Sequence, residues 1–522
     1  MKKLLSYFSF CLLTSSAIAQ PVIEWERSFG GSNTETVLNI INTPDGGYLV
    51  GSQTNSNNGD VSGNHGAEDM WLTKLNSNGV KQWQKCLGGL ENDGIRGISK
   101  VSTGGYILTG NTTSNGLKNS SQVFGNRGGM DIWVVKVDDN GQIEWRQCYG
   151  GCDRDEARNI RETSDGNFVV VGGTLSGNSS DVYGAHGDWD GWVLKISPTG
   201  ELLWQKTIGG SGIDYLFCIE ETANGALVAG GNSSSVDGDL SGLGNNGQED
   251  LWIFQLSADG DLQWSKTYGG SSNDGARSIC LLSNGDIVAA GITFSSDGDV
   301  TGFHGGSDTW VVRLNSTGNL LWQKAYGGSG NEYANVVLLR SDNDFIFAGE
   351  NSSFDGDVVG YHGGKDAWVG KFDQNGVLKA QVSLGGSGFD FTRACTLGAG
   401  NAVVVGATSG SQDGDVSQNF GSTDAWIVKL SVPLGLKTEV PNPDHLELKL
   451  SPNPASSLIQ ITTNLVGAKQ LELFNASGKR LQTLEMNEID MNLQINHLPA
   501  GIYLVKMVTN TGQVLSAQFV KA

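Results

Sequence analysis

The stretch DTWVVRLNSTGNLLWQKAY, residues 308–326, is one copy of a pattern that recurs along most of the chain. It opens with an Asp-x-Trp triplet, whose tryptophans recur at intervals of 62, 59, 60, 58, 58 and 58 residues. A fixed period of this length is typical of a propeller, a solenoid or an array. The seven triplets are marked by Asp69/Trp71, Asp131/Trp133, Asp190/Trp192, Asp250/Trp252, Asp308/Trp310, Asp366/Trp368 and Asp424/Trp426.

Each repeat contains four strand-like runs. In the fifth repeat these are ARSICLL (276–282), IVAAGITF (287–294), DTWVVRL (308–314) and LLWQKAY (320–326). Short β-rich runs bounded by Gly, Asn, Asp and Ser predict strands joined by tight turns. No sustained helical spacing of apolar residues interrupts them. Four strands per repeat are typical of a propeller blade.

The phase of the repeat predicts how the array closes. The chain enters the repeats with a fourth-strand pattern, VIEWERSFGG (22–31), and its last repeat stops after a third strand, DAWIVKL (424–430). A seventh complete blade therefore forms only if the first strand joins the last blade. Such pairing removes an exposed sheet edge. We predict an all-β, closed seven-bladed β-propeller over residues 20–431.

The periodic residues have structural interpretations. We expect the triplet tryptophans to be buried between blades. The triplet aspartates are expected to accept hydrogen bonds from loop amides. A second series lies in the fourth-strand runs, with Ala380 in its seventh place, and consists of Trp25, Trp83, Trp145, Trp204, Trp264 and Trp322.

The combined pattern resembles the β-propeller repeats of secreted bacterial proteins. The residues that match are G-G-S-x-x-D, D-G-x-x-V-x-G and D-x-W-V-V-K-L-x-x-x-G-x-x-x-W. This resemblance implies the fold and says little about a ligand. The T-G-N-L-L-W element is also similar to the tryptophan-docking strands of quinoprotein dehydrogenases. Those proteins usually carry eight blades and a quinone site, neither of which we identify in this sequence.

The N-terminus has the features of a secretory signal peptide. Lys2 and Lys3 precede an apolar run over residues 4–13, and Ala17-Ile18-Ala19 forms a cleavage motif. We predict a signal peptide over residues 1–19. No other apolar run approaches the ~20 residues that a membrane-spanning helix needs.

A proline-bearing linker is predicted over residues 432–445, followed by a β-rich domain over residues 446–522. This domain resembles the type A C-terminal sorting domain of the Bacteroidota type IX secretion system. The matching elements are Pro452-Asn453-Pro454, Gly478-Lys479, Gly501 with Tyr503, and a Val-Lys pair near the end, although Ser451 replaces the usual aromatic residue. The resemblance implies a small β-sandwich that engages the secretion machinery. It also implies export to the cell surface or beyond, with release or attachment left open. An ordinary adhesive β-sandwich is the alternative.

The charge narrows the choice of partners. The net charge is −21, and removing Lys2 and Lys3 with the signal peptide makes it −23. Such an acidic chain is unsuited to nucleic acid or to anionic membranes. It suits solubility outside the cell, or divalent cations, and we expect a monomer. Cys148 and Cys152 flank a glycine turn, so they either form a disulfide or remain thiols.

Two acidic series are expected to lie on one face of the propeller. One precedes the first strand of each blade and consists of Glu35, Asp93, Asp155, Asp214, Asp274, Glu332 and Asp390. The other lies in the long loop, with Gln122 in the second blade, and consists of Asp60, Asp181, Asp239, Asp299, Asp357 and Asp415. Four Asp-Gly-Asp segments suggest Ca²⁺ ligation, through Asp237, Asp239, Asp297, Asp299, Asp355, Asp357, Asp413 and Asp415. Capping of turns is the alternative role for these aspartates.

No catalytic residue is assigned. The sequence lacks a nucleophile elbow, a zinc-protease helix motif and a phosphate-binding loop. We therefore expect a secreted, non-enzymatic protein that presents an acidic loop face to an extracellular polymer or glycan. The alternatives are a glycosidase or lyase with carboxylates at the channel mouth, and a purely structural surface component.

Trp189 is the candidate ligand-binding residue. It is the one tryptophan outside both repeat series, and it lies in a loop with His186 and Asp188. Equivalent positions in other repeats are mostly polar, which suggests a solvent-facing indole able to stack on a sugar ring. Packing of Trp189 over a neighbouring loop is the alternative. The four propeller histidines, His65, His186, His304 and His362, share one repeat position, which favours loop packing over metal ligation.

Overall fold

The computed structural model describes residues 21–116, 122–431, 448–451, 455–463, 469–475, 479–486, 490–509 and 514–521. The predicted signal peptide, the linker, Pro452-Asn453-Pro454 and Gly478 lie outside these ranges. The chain divides into two compact units, and the first covers Gln20–Leu434. The second contains the C-terminal strands.

The first unit consists of seven four-stranded antiparallel sheets, called blades 1 to 7. Blade 1 contains β2 to β5, which are Glu35–Asn42, Tyr48–Thr54, Asp69–Leu75 and Lys81–Leu87. Blade 2 contains β6 to β9, which are Asp93–Lys100, Tyr106–Thr112, Asp131–Val137 and Ile143–Tyr149. Blade 3 contains β10 to β13, which are Asp155–Glu162, Phe168–Thr174, Asp190–Ile196 and Leu202–Ile208. Blade 4 contains β14 to β17, which are Asp214–Glu221, Leu227–Ser233, Asp250–Leu256 and Leu262–Tyr268.

The remaining blades follow the same order. Blade 5 contains β18 to β21, which are Asp274–Leu281, Ile287–Thr293, Asp308–Leu314 and Leu320–Tyr326. Blade 6 contains β22 to β25, which are Glu332–Leu339, Phe345–Asn351, Asp366–Phe372 and Leu378–Leu384. Blade 7 combines β1 with β26, β27 and β28, which are Val22–Phe29, Asp390–Leu397, Val403–Ser409 and Asp424–Ser431. Two short 3₁₀ helices lie at Gly238–Leu240 and Ala399–Asn401.

The blades contact one another in a ring. The first strand of each blade, called the inner strand, contacts the inner strand of the next, and β26 of blade 7 contacts β2 of blade 1. The N-terminal strand β1 pairs antiparallel with β28, so residues from both ends of this unit build blade 7. Between blades 1 and 7 the Val37 amide donates to Thr408 Oγ1 at 2.9 Å. The prediction of an all-β fold with repeated four-stranded sheets is confirmed.

The triplet tryptophans fill the space between blades. Each shares an apolar cluster with residues of the preceding blade, as Trp192 of blade 3 does with Val134 of blade 2. Trp310 donates its indole N–H to Gln323 at 2.8 Å. Seven side chains of this series are fully buried, namely Trp71, Trp133, Trp192, Trp252, Trp310, Trp368 and Trp426.

The fourth-strand tryptophans join the blades in a different way. They are half-buried, and each packs on a turn glycine of the next blade, as Trp264 does on Gly318. Gly318 has a φ of +78°, and a Cβ there would lie 2.7 Å from the indole. Glycine is therefore required twice over at this turn.

The second unit is a pair of β-sheets. One contains β29, β30 and β33, which are Leu448–Ser451, Leu458–Thr463 and Asp490–Gln494. The other contains β31, β32, β34 and β35, which are Lys469–Asn475, Arg480–Met486, Gly501–Thr509 and Val514–Lys521. Ile459, Leu471, Val505 and Phe519 belong to their shared apolar core. Within the described residues of either unit, no helix is long and apolar enough to cross a membrane.

Candidate functional site

The triplet tryptophans, although singled out by the repeat, are closed to any ligand. None of the seven side chains has any exposed surface, which applies to Trp71, Trp133, Trp192, Trp252, Trp310, Trp368 and Trp426 alike. Several indole N–H groups are also used inside the blade. Trp71 donates to Gln84, Trp192 to Gln205 and Trp368 to Gln381, at 2.8 to 2.9 Å, and Trp252 donates to Ser265 Oγ at 2.8 Å. These tryptophans belong to the interior of the propeller and not to a binding site.

The triplet aspartates organise the loops that enter each third strand. Asp308 is fully buried, and its Oδ2 accepts the His304 amide at 2.9 Å and faces His304 Nδ1 at 2.8 Å. Burial raises the pKa of Asp308 to about 6, against the opposing effect of the His304 hydrogen bonds. His65 and His362 contact Asp69 and Asp366 in the same way, and His186 Nδ1 lies 3.4 Å from Asp190. These histidines therefore pack within their own loops.

The acids that start the inner strands are also buried. Asp214 Oδ2 accepts the Gly210 amide at 2.7 Å and the Ser235 hydroxyl at 2.7 Å. The other six members of the series have side chains that are at most 2% exposed. These carboxylates fix the loops between blades, and solvent does not reach them. They are consequently unsuited to act as surface catalytic groups.

The Asp-Gly-Asp segments cap the glycine turns that connect blades. Asp297 Oδ1 accepts the Ser271 amide at 2.8 Å, and Asp299 Oδ2 accepts the Gly269 amide at 3.2 Å. The Ser271 amide and hydroxyl lower the pKa of Asp297. Asp237, Asp355 and Asp413 each accept an equivalent serine amide at 2.7 Å. Asp239, Asp357 and Asp415 each bond an equivalent glycine amide at 3.2 to 3.3 Å.

Calcium ligation by these segments stays a prediction. In the described part of the chain, no group of three or more His, Cys, Asp or Glu residues is placed to hold a metal ion. The Asp-Gly-Asp carboxylates already bond backbone amides, which is the turn-capping role expected as the alternative. Cys148 is buried, Cys152 is exposed, and both are free thiols.

The inner strands enclose a central channel with a cavity volume of about 640 Å³. Each inner strand carries a β-bulge at its fourth residue, where the pairing with the second strand skips one position. A bulge re-aims the extra side chain. The residues skipped, all of which line the channel, are Leu38, Arg96, Arg158, Phe217, Arg277, Asn335 and Arg393.

The mouth of this channel lies at the loop face, the edge from which the inner strands start. On this face Trp189 of blade 3 packs on Tyr215 of blade 4, with ring centroids 5.2 Å apart and planes tilted by 60°. Arg154 lies 5.8 Å from the Trp189 ring centroid. The indole is half-buried, and it is directed toward the next blade. Asp188 and His186 are exposed, whereas the aromatic and cationic groups beside the indole belong to Tyr215 and Arg154.

Glu156 joins the aromatic pair to the arginines. Its side chain accepts the Tyr215 hydroxyl at 2.5 Å and faces Arg158 at 3.0 Å, and it also pairs with Arg154. Burial alone would raise the pKa of Glu156, but the Tyr215 hydrogen bond and the two guanidinium groups outweigh it, and the pKa is lowered. Glu156 is therefore held as a carboxylate, which suits recognition better than proton donation.

A smaller cavity of about 230 Å³ adjoins the mouth. It is lined by Gln53, Glu68, Asn92, Gly94, Arg96, Asn111, Met130, Arg154 and Glu156. Gly94 occupies the place that Glu156 and Tyr215 fill in the next two inner strands, and the Gln53 side chain lies where a Cβ of residue 94 would be. The walls are mostly amide and charged groups, which can hydrogen-bond a polar ligand.

Sequence reasoning singled out Trp189, whose role in binding stays a prediction, and missed the residues around it. It did not identify Tyr215, Glu156 or the channel arginines. Their signal is the segment Asp-x-x-Arg, which begins four of the seven inner strands, at Asp93/Arg96, Asp155/Arg158, Asp274/Arg277 and Asp390/Arg393. Alignment of the repeats on the inner-strand acid would have exposed it.

Comparison with known proteins identifies the C-terminal unit. Residues 449–521 match the family described as the secretion system C-terminal sorting domain. The protein is therefore exported through the type IX system to the cell surface or the extracellular space. Gly501 starts β34, and the Tyr503 ring is buried against Phe519 with centroids 5.4 Å apart, so these two motif residues belong to the sandwich.

The chain has more distant similarities to other proteins. The regulatory protein FlaEY of Caulobacter vibrioides is 21% identical over 402 residues, covering 70% of this chain and 41% of that protein. The chain thus spans less than half the length of this curated relative.

Among solved structures, a fungal AA5-family alcohol oxidase in complex with copper has a TM-score of 0.43, with 14% identity over 97% of this chain and 100% of the other. The hydrazine synthase of Kuenenia stuttgartiensis has a TM-score of 0.44, with 10% identity over 72% and 94% of the two chains. PorZ of Porphyromonas gingivalis, a surface component of the type IX secretion system, has a TM-score of 0.37, with 11% identity over 92% and 58%.

Proposed function

We propose that the propeller is a non-enzymatic binding module that engages an extracellular glycan at the loop-face mouth of its channel. The observation that carries this proposal is the Trp189–Tyr215 pair, which is bordered by Arg154 and Glu156. Tyr215 and Glu156 are buried, so the groups offered to a ligand are the half-buried Trp189 ring and the exposed Arg154 guanidinium. An indole face beside a hydrogen-bond donor matches a sugar, whose ring has an apolar face and hydroxyl edges. Export by the type IX system places such a module where extracellular polymers occur.

One observation at the mouth matches the glycosidase alternative, because burial raises the pKa of Glu68, which lines the smaller cavity together with Glu156. A retaining or inverting glycosidase needs one carboxylic acid with a raised pKa beside a second carboxylate. Glu156 has a lowered pKa because Tyr215, Arg158 and Arg154 stabilise its charge. The inner-strand acids, whose equivalents occur in every blade, are buried beneath the loops.

The test is glycan-array binding by the secreted protein and by its Trp189→Ala variant. Loss of the aromatic face should abolish or strongly weaken binding, while the melting temperature falls only modestly because the indole is half-buried. Runs with calcium and with chelator separate the calcium hypothesis from the aromatic site. Calcium dependence would point to the Asp-Gly-Asp loops.

Phe354→Ala is the matched control, since this phenylalanine lies in a loop of blade 6 and is 80% exposed. It should bind as the parent does. Unchanged binding by Trp189→Ala, together with a large loss of stability, would make Trp189 a packing residue and remove the site from the mouth.

A further inference from the structure

The channel concentrates positive charge in an acidic protein. The residues that line it include five arginines and two glutamates, although the whole chain has a net charge of −21. Four of the arginines, Arg96, Arg158, Arg277 and Arg393, are the bulged residues of their inner strands. We call these four the arginine ring. The fifth, Arg161, is neutralised by Glu220 at 2.9 Å.

Most of the ring lacks a counter-charge in direct contact. Arg158 pairs with Glu156, whereas Arg96, Arg277 and Arg393 form no ion pair within the described residues. Arg96 Nε is buried without a hydrogen-bond partner, and Arg96 Nη1 reaches only Gln53 Oε1 at 3.3 Å. The Arg277 guanidinium lies 3.9 Å from the Phe217 ring centroid, with its N–H groups unbonded among the described residues.

Three glutamates near the mouth interact electrostatically with Arg96, Arg277 and Arg393, but none of them forms an ion pair with these arginines among the described residues. Glu68 accepts a hydrogen bond from Gln53 at 2.9 Å, Glu249 bonds Asn232, and Glu350 pairs with Lys365 at 2.9 Å. Burial lowers the pKa of Arg96 and of Arg277 to about 10, and the nearby Arg158 adds to both shifts. Holding these like charges together costs stability, and an anion between them would offset that cost.

We propose that the arginine ring binds an oxyanion, a carboxylate or a sulfate group, carried by the glycan whose ring stacks at Trp189. The inference rests on the proposed function and adds the chemical class of the ligand: an acidic glycan. Guanidinium groups present planar, charged N–H donors that match carboxylate and sulfate oxygens. Two levels of the channel then divide the recognition, with aromatic rings at the mouth and guanidinium groups below.

Inorganic sulfate tests the ring without any glycan. The melting temperature of the full chain is measured in low-millimolar sodium sulfate and in sodium chloride of equal ionic strength, for the parent and for Arg96→Gln/Arg277→Gln. We expect sulfate to raise the melting temperature of the parent and to bind the double variant roughly tenfold more weakly or worse, since two charged hydrogen-bond donors are lost.

In sulfate-free buffer the double variant should melt at the same temperature as the parent or higher, because repulsion within the ring is relieved. Arg27→Gln on the outer strand β1 makes a single-charge change away from the inner strands and should keep the sulfate response. If the double variant fails to fold, the single variant Arg393→Gln, at an exposed position, gives the same comparison. Equal sulfate responses in the parent and in the ring variants would overturn the proposal.

Binding assays with three classes of glycan distinguish this inference from the proposed function. Sulfated, uronate-bearing and neutral glycans are compared on the parent and on the double variant. Preference for the sulfated or the uronate glycan, lost in the double variant, supports the ring and identifies the anion. If the parent and the double variant bind neutral glycans equally well, the proposed function stands and the anion-binding role of the arginine ring is wrong. A ring-dependent sulfate response without any glycan binding would overturn the proposed function alone.

Discussion

The outer strands and the inner strand of each blade differ in which residues recur from blade to blade. In the third and fourth strands the same tryptophan and glycine contacts recur from blade to blade, as between Trp264 and Gly318 or between Trp322 and Gly376. In the inner strands the buried acid and the apolar core positions recur, but the bulged residue varies from leucine to arginine, phenylalanine and asparagine. The residues that recur in every blade are therefore those that join the blades of the propeller. The bulged residue, which lines the channel, varies from blade to blade, and we propose that a ligand binds there.

Removing the closing strand should have the largest effect. Deletion of residues 22–31 takes away β1, which pairs with β28 along its whole length and carries the Glu26 carboxylate that accepts the Trp426 indole N–H at 2.9 Å. Blade 7 would then expose an unpaired edge and much of its apolar surface. We expect loss of the cooperative melting transition, measured by circular dichroism.

Truncation from Leu446 onward is the control for that deletion. It removes the sorting domain, which forms a unit of its own, so the propeller should melt as in the parent while export fails. A β1 deletion that melts cooperatively near the parent temperature would show that ring closure contributes little.

A substitution at a repeated core position should lower the free energy of unfolding less than the deletion does but more than any substitution in the channel. Trp310→Ala empties a fully buried site and leaves the Gln323 side chain without its partner, so a loss of about 3–5 kcal/mol is expected. Phe217→Ala, at a half-buried channel position, should cost about 1–2 kcal/mol. Urea denaturation measures both, and equal losses would erase the distinction between core and channel.

The repeated triplet aspartates predict an unusual dependence of stability on pH. Burial raises the pKa of Asp250 to about 6 from an ordinary value of 3.8, with Asp274 and Asp299 adding to it and the Asn246 amide opposing it. The folded state therefore holds a proton that the unfolded chain releases near pH 4. Its stabilising contribution is complete below pH 3.8 and is lost as the pH rises through about 6.

The pKa values of Asp131 and Asp308 are raised as well. The pKa of Asp45 is instead lowered to about 2, so the stability that its ionised form contributes is lost only below pH 4. We therefore expect the melting temperature to be highest near pH 4–5 and to fall toward pH 7.5. Asp250→Asn should reduce this fall, and a melting temperature that rises steadily from pH 5 to 7.5 would contradict the shifts.

The smallest effect is expected at an unpaired channel arginine. Arg393→Gln changes an exposed side chain whose guanidinium carbon lies 5.6 Å from the Phe391 ring centroid. Stability should stay within about 0.5 kcal/mol of the parent in denaturant melts. A clear destabilisation would mean that the ring has a structural role, and the contrast between outer and inner residues would weaken.

The sequence was sufficient for the fold because the fold is made of local, periodic interactions. Asp-x-Trp spacing, turn glycines and strand-length apolar runs each report on neighbours within one repeat or the next. Even the pairing of β1 with β28 was predictable, because the offset of the repeats leaves one strand missing at one end and one extra at the other.

The candidate site was predictable only in part. Trp189 was identifiable as a tryptophan outside the repeat series, but its half-buried contact with Tyr215 depends on how two blades meet. Composition suggested cation ligation by the Asp-Gly-Asp aspartates but did not reveal that these carboxylates also accept hydrogen bonds from turn amides, and calcium binding there stays a prediction.

By itself, the sequence determined the repeat, the all-β architecture and the sorting domain, since each depends on residues close together in the chain. Tertiary structure alone decided what faces the channel. A bulge at the fourth inner-strand residue turns Arg96, Arg158, Arg277 and Arg393 toward a common axis, although successive members are separated by about sixty or more residues in the chain. Closure of the propeller brings these like charges together, because only a circle of blades gives seven separate strands one shared interior.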